Sequence, residues 1–166
     1  MNESWIIGNS FRQFSNLNEG TFFVRGSWPF PNNVNENYPQ FSFGAALNGS
    51  FDYFITFTDF PRFSYFRPTP GGEVVLFSGS TITSKFYSTA LSYKTSSQIG
   101  KFGTSIDGSN ASFTYASNVT FNPNANNILY LGRAINVSGV RLNGRLSRFI
   151  YYPRELPPFQ LQALTR

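Results

Sequence analysis

The chain has 166 residues, of which 19% are aromatic and only 13% are charged, with a formal net charge of +5 and neither Cys nor His. Many aromatic residues and few charges exclude a disordered chain, and the length suits one domain. The absence of Cys and His excludes disulfides, thiolate metal sites and the usual nucleophile–base pairs of enzymes. Abundant Phe, Tyr, Gly and Pro favour strands joined by tight turns.

The N-terminal residues carry no recognisable targeting signal. Met1 to Gly8 lack a basic segment and a long apolar stretch, which argues against a signal peptide or a membrane span. We therefore expect synthesis in the cytoplasm and no membrane partner. We predict an N-terminal arm over residues 1–20, followed by one domain over residues 21–166.

The Lys and Arg residues are isolated along the chain and form no basic run. Nucleic-acid-binding proteins usually cluster these residues in a patch. We therefore expect no nucleic-acid partner, and only a mild attraction to anionic surfaces.

Apolar residues recur with a short period and are interrupted about every ten residues by Gly, Pro, Asn or Asp, which is typical of a β-sandwich or barrel. Hairpins are predicted at Leu47-Asn48-Gly49-Ser50 and at Ile106-Asp107-Gly108-Ser109, because Asn-Gly and Asp-Gly suit tight turns. The predicted strands, in chain order, are Thr21–Gly26, Gln40–Leu47, Phe51–Phe57, Glu73–Ser78, Phe86–Tyr93, Lys101–Ile106, Ala111–Tyr115, Ile128–Leu131 and Arg145–Tyr152.

Two stretches rich in Pro and aromatic residues interrupt this pattern. The first, Trp28 to Asn37, is predicted to be a long surface loop, because its prolines cannot donate to a strand ladder. The second, between Asp59 and Gly72, is predicted to be irregular as well. Each stretch carries a candidate contact surface.

Trp28 and Phe30 are the candidates in the first stretch. An exposed indole on a stiff loop can stack on a sugar ring or fill a partner pocket, and the alternative is that Trp28 closes the end of the sandwich. Arg62, Tyr65 and Arg67 are the candidates in the second stretch, since guanidinium groups can lie on ring faces and bind planar or hydroxylated ligands. The alternative there is a twisted edge strand with Phe in the core and Arg in solvent.

The last predicted strand does not alternate strictly. Leu146 and Phe149 are apolar, with Ser147 and Arg148 between them. An extra residue of this kind predicts a β-bulge that changes the direction of the strand.

A short C-terminal helix is predicted after this strand. Pro157 and Pro158 fit a first helical turn, where a missing N–H is tolerated, and Leu161 and Leu164 are spaced to share one surface. A helix this short must pack on the sandwich to be stable.

The C-terminal half resembles a known fold family. Leu142 to Leu156, followed by Gln160 to Thr165, resembles the final strand and closing helix of concanavalin A-like, laminin-G-like jelly rolls, most of all those of bacteriophage virion and tail proteins. Ala90–Lys94, Gly103–Gly108 and Leu129–Gly132 resemble three successive strands of that family. The resemblance implies a concanavalin A-like jelly-roll sandwich with a short C-terminal helix.

The start of the predicted helix departs from the family pattern at two positions. Pro157 stands where the family tends to place a capping Ser, and Gln160 replaces an acidic residue. The helix is therefore expected to begin differently from its relatives.

The acidic residues predict neither catalysis nor metal binding. Glycosidases of related fold need two suitably spaced carboxylates, and a calcium site needs several converging oxygen ligands. We find neither pattern, and we expect no enzyme activity, no metal and no cofactor. The acidic residues are scattered and comprise Glu3, Glu19, Glu36, Asp52, Asp59, Glu73, Asp107 and Glu155.

The resemblance and the lack of a signal peptide and thiols favour a non-catalytic bacteriophage virion surface protein. It would be a capsid-decorating subunit or a tail-fibre module, located in the virion and bound to other virion proteins. Aromatic loops would assemble it as a homo-oligomer, for instance a trimer. The alternative is a glycan-binding module that recognises bacterial surface polysaccharide.

Overall fold

In a computed structural model the chain forms two antiparallel sheets and a short helix. The structure describes residues 5–7, 16, 18–27, 39–47, 50–57, 62–66, 73–78, 86–96, 99–107, 112–117, 128–132 and 144–166. Its elements are β1 (Trp5–Ile7), β2 (Glu19–Ser27), β3 (Pro39–Leu47), β4 (Ser50–Phe57), β5 (Arg62–Phe66), β6 (Glu73–Ser78), β7 (Phe86–Ser96), β8 (Ile99–Ile106), β9 (Ser112–Ser117), β10 (Ile128–Leu131), β11 (Arg145–Tyr152) and α1 (Pro158–Thr165).

Each sheet pairs strands that are far apart along the chain. The six-stranded sheet has the order β1-β10-β3-β4-β5-β6, and the five-stranded sheet has the order β11-β2-β7-β8-β9. Hairpin neighbours such as β3 and β4 lie side by side, whereas β11 pairs with β2 near the other end of the chain. The predicted all-β architecture with a C-terminal helix is confirmed.

The strand bounds follow the sequence pattern closely. β6, β10 and β11 have the predicted bounds, and the other predicted strands differ only at their ends. The first hairpin is confirmed, because Leu47 pairs with Ser50. β8 pairs with β9 as the second hairpin requires, but its turn residues Gly108 and Ser109 lie outside the described residues. Asp107, in the second hairpin, has a φ of 44°, a left-handed conformation that Asp tolerates better than most residues.

Two strands were not predicted. The stretch between Asp59 and Gly72, predicted to be irregular, contains β5, which lies between β4 and β6 and is therefore not an edge strand. Nearby prolines obscure its alternation of polar and aromatic residues. β1 lies inside the predicted N-terminal arm, residues 1–20, and pairs with β10. Three residues are too few to show a periodic pattern.

The inner face of the five-stranded sheet, defined here as the face that carries Phe22, is built from aromatic rings. Phe22 and Val24 are fully buried. The centroid of the Phe22 ring lies 5.9 Å from that of Tyr93, 6.0 Å from that of Phe149 and 5.0 Å from that of Tyr151. Tilted and offset ring pairs at these distances are favourable, so this face relies on flat rings.

The outer face of the same sheet is covered in part by α1. Phe23, Ala90, Leu156 and Leu161 form a buried cluster, with Ile150, Tyr152 and Leu164 packed against it. The Thr165 and Ser105 hydroxyls form a buried hydrogen bond of 2.9 Å between α1 and β8. The predicted docking of the helix through Leu161 and Leu164 is therefore confirmed.

The first turn of the helix has no side-chain cap. Pro157 is the N-cap and makes no side-chain capping hydrogen bond, and the first turn contains no acidic residue. The carbonyl oxygen of Pro157 accepts hydrogen bonds from the backbone N–H groups of Gln160 and Leu161. Packing, not capping, therefore holds this helix in place.

The Tyr87 hydroxyl is buried and has no hydrogen-bond partner among the described residues, and burial raises its pKa. We expect Tyr87→Phe to leave the free energy of unfolding unchanged or to raise it by about 1 kcal/mol, because an unpaired buried hydroxyl is costly. Tyr93→Phe is the control, since the Tyr93 hydroxyl donates to the carbonyl oxygen of Asn16 at 2.5 Å. Tyr93→Phe should lower the free energy of unfolding by about 1 kcal/mol. If urea unfolding showed equal losses of stability in Tyr87→Phe and Tyr93→Phe, the Tyr87 hydroxyl could not be the unpaired one of the two.

Candidate functional site

The outer face of the five-stranded sheet has a covered part and an open part. β11, β2 and β7 are adjacent, so paired residues form rows across the three strands. Helix α1 packs on the row that contains Ile150, Phe23 and Ala90. The open rows consist of Arg148, Arg25 and Ser88, and of Arg145, Ser27 and Phe86; of these six residues, Ser88 alone is buried.

The open rows carry a cluster that we call the arginine patch, defined as Arg25, Arg145 and Arg148. All three residues are exposed. Arg148 lies directly opposite Arg25, and the Cβ atoms of such pairs are about 4.5–5.5 Å apart. In the described part of the chain, no ion pair joins Arg145 or Arg148 to a carboxylate. The patch is therefore a concentration of positive charge.

The β-bulge in β11 places Arg145 and Arg148 on one face. Residues three apart in a regular strand point to opposite faces. At the bulge the register shifts, so that Arg145 pairs with Ser27 and Arg148 pairs with Arg25. The hydroxyl of the extra residue, Ser147, donates to the carbonyl oxygen of Arg25 at 3.0 Å. The predicted bulge is confirmed, and it gathers basic residues that the sequence separates.

Asp107 and Phe86 border the patch on the β7 side. The Asp107 N–H donates to the Ser88 carbonyl oxygen at 2.9 Å, and Asp107 Oδ1 accepts from the Ser88 N–H at 2.6 Å. Burial raises the pKa of the Asp107 carboxyl. The hydrogen bond from the Ser88 backbone and the positive charge of Arg25 lower it, but by less. Phe86 is 72% exposed. The guanidinium groups of the patch thus have an aromatic ring beside them and a carboxylate that is attracted electrostatically to Arg25.

Charges at the opposite end of the outer face are paired. Lys94 Nζ lies 3.8 Å from Glu19 Oε2 and 3.9 Å from Glu155 Oε2. The Leu156 N–H donates to the Thr21 hydroxyl oxygen at 3.1 Å. The fold brings together two carboxylates that are distant in sequence, but both contact the same ammonium group. This arrangement ties the segment before α1 to β2 and β7.

A second polar cluster fixes Asn16 beside β2. Its carbonyl oxygen accepts from the Tyr93 hydroxyl at 2.5 Å, and its N–H donates to the Tyr151 hydroxyl at 2.8 Å. Its side-chain amide donates to the Pro153 carbonyl oxygen at 3.2 Å. Burial raises the pKa of both phenols. These hydroxyls are engaged in holding the backbone, which makes the cluster structural.

The contact residues predicted from sequence are only partly placed. Trp28, Phe30 and Arg67 lie outside the described residues. Arg62 and Tyr65 lie on β5, whose pairing with β4 is regular. Because they are three residues apart, they occupy opposite faces of the six-stranded sheet.

The register identifies these two faces. Tyr65 takes a position on the face of Leu129, which is fully buried, and Arg62 takes one on the face of Tyr130, which is half-buried. The two residues therefore do not share one surface of this sheet. Their role as contact residues stays a prediction.

The described ranges contain neither a metal-site cluster nor a membrane-spanning helix. No group of His, Cys, Asp or Glu there has the arrangement of a metal site. No helix in those ranges is long and apolar enough to cross a membrane. The arginine patch, an exposed group of like charges on paired strands, is the candidate functional site.

Comparison with known proteins identifies the fold. No protein-family model and no curated protein matches the chain. The CBM40 module of the Ruminococcus gnavus IT-sialidase, solved with α2,3-sialyllactose, matches with a TM-score of 0.66 and 16% identity, over 94% of this chain and 85% of the module. The fold is a concanavalin A-like jelly roll.

Other jelly rolls of this type belong to larger or assembled proteins. The NanB sialidase from Streptococcus pneumoniae matches with a TM-score of 0.66 and 16% identity, over 100% of this chain but only 27% of the sialidase. A heptameric SAP-like pentraxin from Limulus polyphemus matches with a TM-score of 0.57 and 15% identity, over 88% of this chain and 69% of the pentraxin. The predicted jelly roll is confirmed, and these matches lend no support to a bacteriophage setting.

Proposed function

We propose that this protein is a non-catalytic carbohydrate-binding module. The observation that carries the proposal is the match to an isolated CBM40 module, over 94% of this chain and 85% of the module, in a complex with sialyllactose. The arginine patch adds an exposed polar surface of the kind that binds an acidic or hydroxylated ligand. A jelly-roll sheet is a rigid base for such a surface, because its register is set by the buried rows beside it.

Two observations support a binding role without catalysis. The match to the NanB sialidase covers 27% of that enzyme, so the shared part is a fraction of it. Glycosidases place two carboxyl groups on either side of the scissile bond, whereas Glu19 and Glu155 both contact Lys94.

A glycan-binding module is the alternative that the sequence also predicts, and recognition of bacterial surface polysaccharide in particular stays a prediction. A capsid-decorating or tail-fibre role, a virion location and virion partners stay predictions that no comparison supports. A homo-oligomer stays a prediction as well. The heptameric pentraxin of similar fold is compatible with such an assembly.

A glycan array tests the proposal. We expect the purified protein to bind a subset of glycans selectively and to leave them intact, as judged by mass spectrometry of the recovered sugars. Trp28→Ala should weaken this binding if the indole stacks on a sugar ring. Phe159→Ala is the control, because Phe159 is 68% exposed on α1 and is not one of the candidate contact residues. An array without hits would overturn the proposal, and glycan cleavage would overturn its non-catalytic part.

A further inference from the structure

We propose that the arginine patch binds the carboxylate groups of an acidic saccharide, an inference that rests on the proposed glycan-binding function. The first observation is the pairing of Arg148 directly opposite Arg25. Like charges at directly opposed positions destabilise a sheet. An anion between them would remove that repulsion.

The second observation is the contrast between the two ends of the outer face. At one end, Lys94 contacts Glu19 and Glu155, so its charge is balanced within the protein. At the other end, Arg145 and Arg148 have no carboxylate in an ion pair among the described residues. These two arginines lie at the end of the face that α1 does not cover.

The third observation is the way in which the sheet holds the patch. The bulge puts Arg145 and Arg148 in adjacent rows, and the Ser147 hydroxyl fixes the bulge to the Arg25 carbonyl oxygen at 3.0 Å. Rows on one face are separated by two residues, which is about 7 Å. Their backbones are therefore held in a defined array, as recognition of a repeating polymer requires.

The residue types indicate the class of ligand. Guanidinium groups bind carboxylates through two parallel hydrogen bonds, which an ammonium group cannot do. Phe86, 72% exposed in the row of Arg145, offers an apolar ring surface beside the charges. A sugar with a carboxylate presents both an anion and an apolar ring face, and it matches this combination.

A nucleic acid fits the patch less well. A protein that makes about 6–10 phosphate contacts on duplex DNA needs a matching number of positive charges, whereas the patch consists of the three guanidinium groups of Arg25, Arg145 and Arg148. We therefore assign the patch to a saccharide and include DNA in the test.

The test compares polymers with one backbone. Biosensor surfaces would carry dextran, carboxymethyl-dextran, dextran sulfate or a DNA duplex, and binding would be measured at several salt concentrations. We expect binding to carboxymethyl-dextran and none to dextran. Arg148→Gln and Arg145→Gln should each weaken binding roughly tenfold, as expected for loss of a charged hydrogen bond.

Arg154→Gln is the matched control, because it removes the same charge from an exposed residue outside the patch. It should change binding by less than about twofold. Without ligand, Arg148→Gln should unfold at the same or a higher temperature, because the repulsion from Arg25 is relieved. This second measurement separates a loss of binding from a loss of folding.

The outcomes of these binding measurements distinguish a carboxylate site from attraction to net charge and from binding of other polyanions. Equal losses in Arg148→Gln and Arg154→Gln would overturn the inference and indicate attraction to net charge alone. Tighter binding of DNA or dextran sulfate than of carboxymethyl-dextran would overturn the assignment to a carboxylate. Array hits that are unchanged in the patch variants would overturn the inference and leave the proposed function standing. An array without hits would overturn both.

Discussion

Leu161→Ala is expected to lower the free energy of unfolding by about 2–5 kcal/mol, the usual cost of truncating a buried leucine. Leu161 is fully buried against Phe23, Ala90 and Leu156 on the outer face of the sheet. Helix α1 has 8 residues and no side-chain cap, so it depends on this contact to stay folded. Denaturant unfolding followed by circular dichroism measures the loss.

Phe159→Ala is the matched control on the same helix. Phe159 is 68% exposed, and its truncation should change stability by less than about 0.5 kcal/mol. Comparable losses in Leu161→Ala and Phe159→Ala would contradict the docking of α1 on the outer face.

Gly26→Ala is expected to destabilise the protein by about 1–3 kcal/mol or more, as overpacking in a close-packed region does. A Cβ atom at this position would lie 2.5 Å from the carbonyl oxygen of Arg145 and would also collide with the Tyr87 hydroxyl. The backbone of β11 would have to move away from β2. Since Arg145 belongs to the arginine patch, binding of carboxymethyl-dextran should weaken together with stability.

Combining Gly26→Ala with Tyr87→Phe separates the two collisions. Removing the hydroxyl should recover only part of the stability, because the Arg145 carbonyl oxygen remains in the way. Thermal and urea unfolding of the single and double variants would measure this. Full recovery of stability in the double variant would show that the close approach of β11 to β2 does not require glycine at position 26.

Much of the fold can be predicted because its signals are local. Alternation and turn residues locate β6 and β10 with their observed bounds. The bulge in β11 and the docked helix also follow from short stretches, since one extra residue and two spaced leucines suffice to indicate them. β5 was missed because prolines near it outweigh its alternation, and β1 because it is short.

The arginine patch could not be predicted because its members meet only through strand pairing. Arg25 and Arg148 become neighbours when the C-terminal strand pairs with β2, and nothing in either segment specifies that partner. Arg62 and Tyr65 show the converse. They are close in the sequence, yet the alternation of β5 places them on opposite faces. Proximity along the chain is therefore a poor guide to a shared surface in a sheet protein.

Calorimetric titration with 3′-sialyllactose tests the central claim, glycan binding without catalysis, most directly. Lactose serves as the neutral control, because it lacks only the acidic sugar. We expect saturable heat with sialyllactose, little with lactose, and recovery of the trisaccharide intact. Release of free sialic acid, or no heat with either sugar while the array also shows no hits, would contradict the claim.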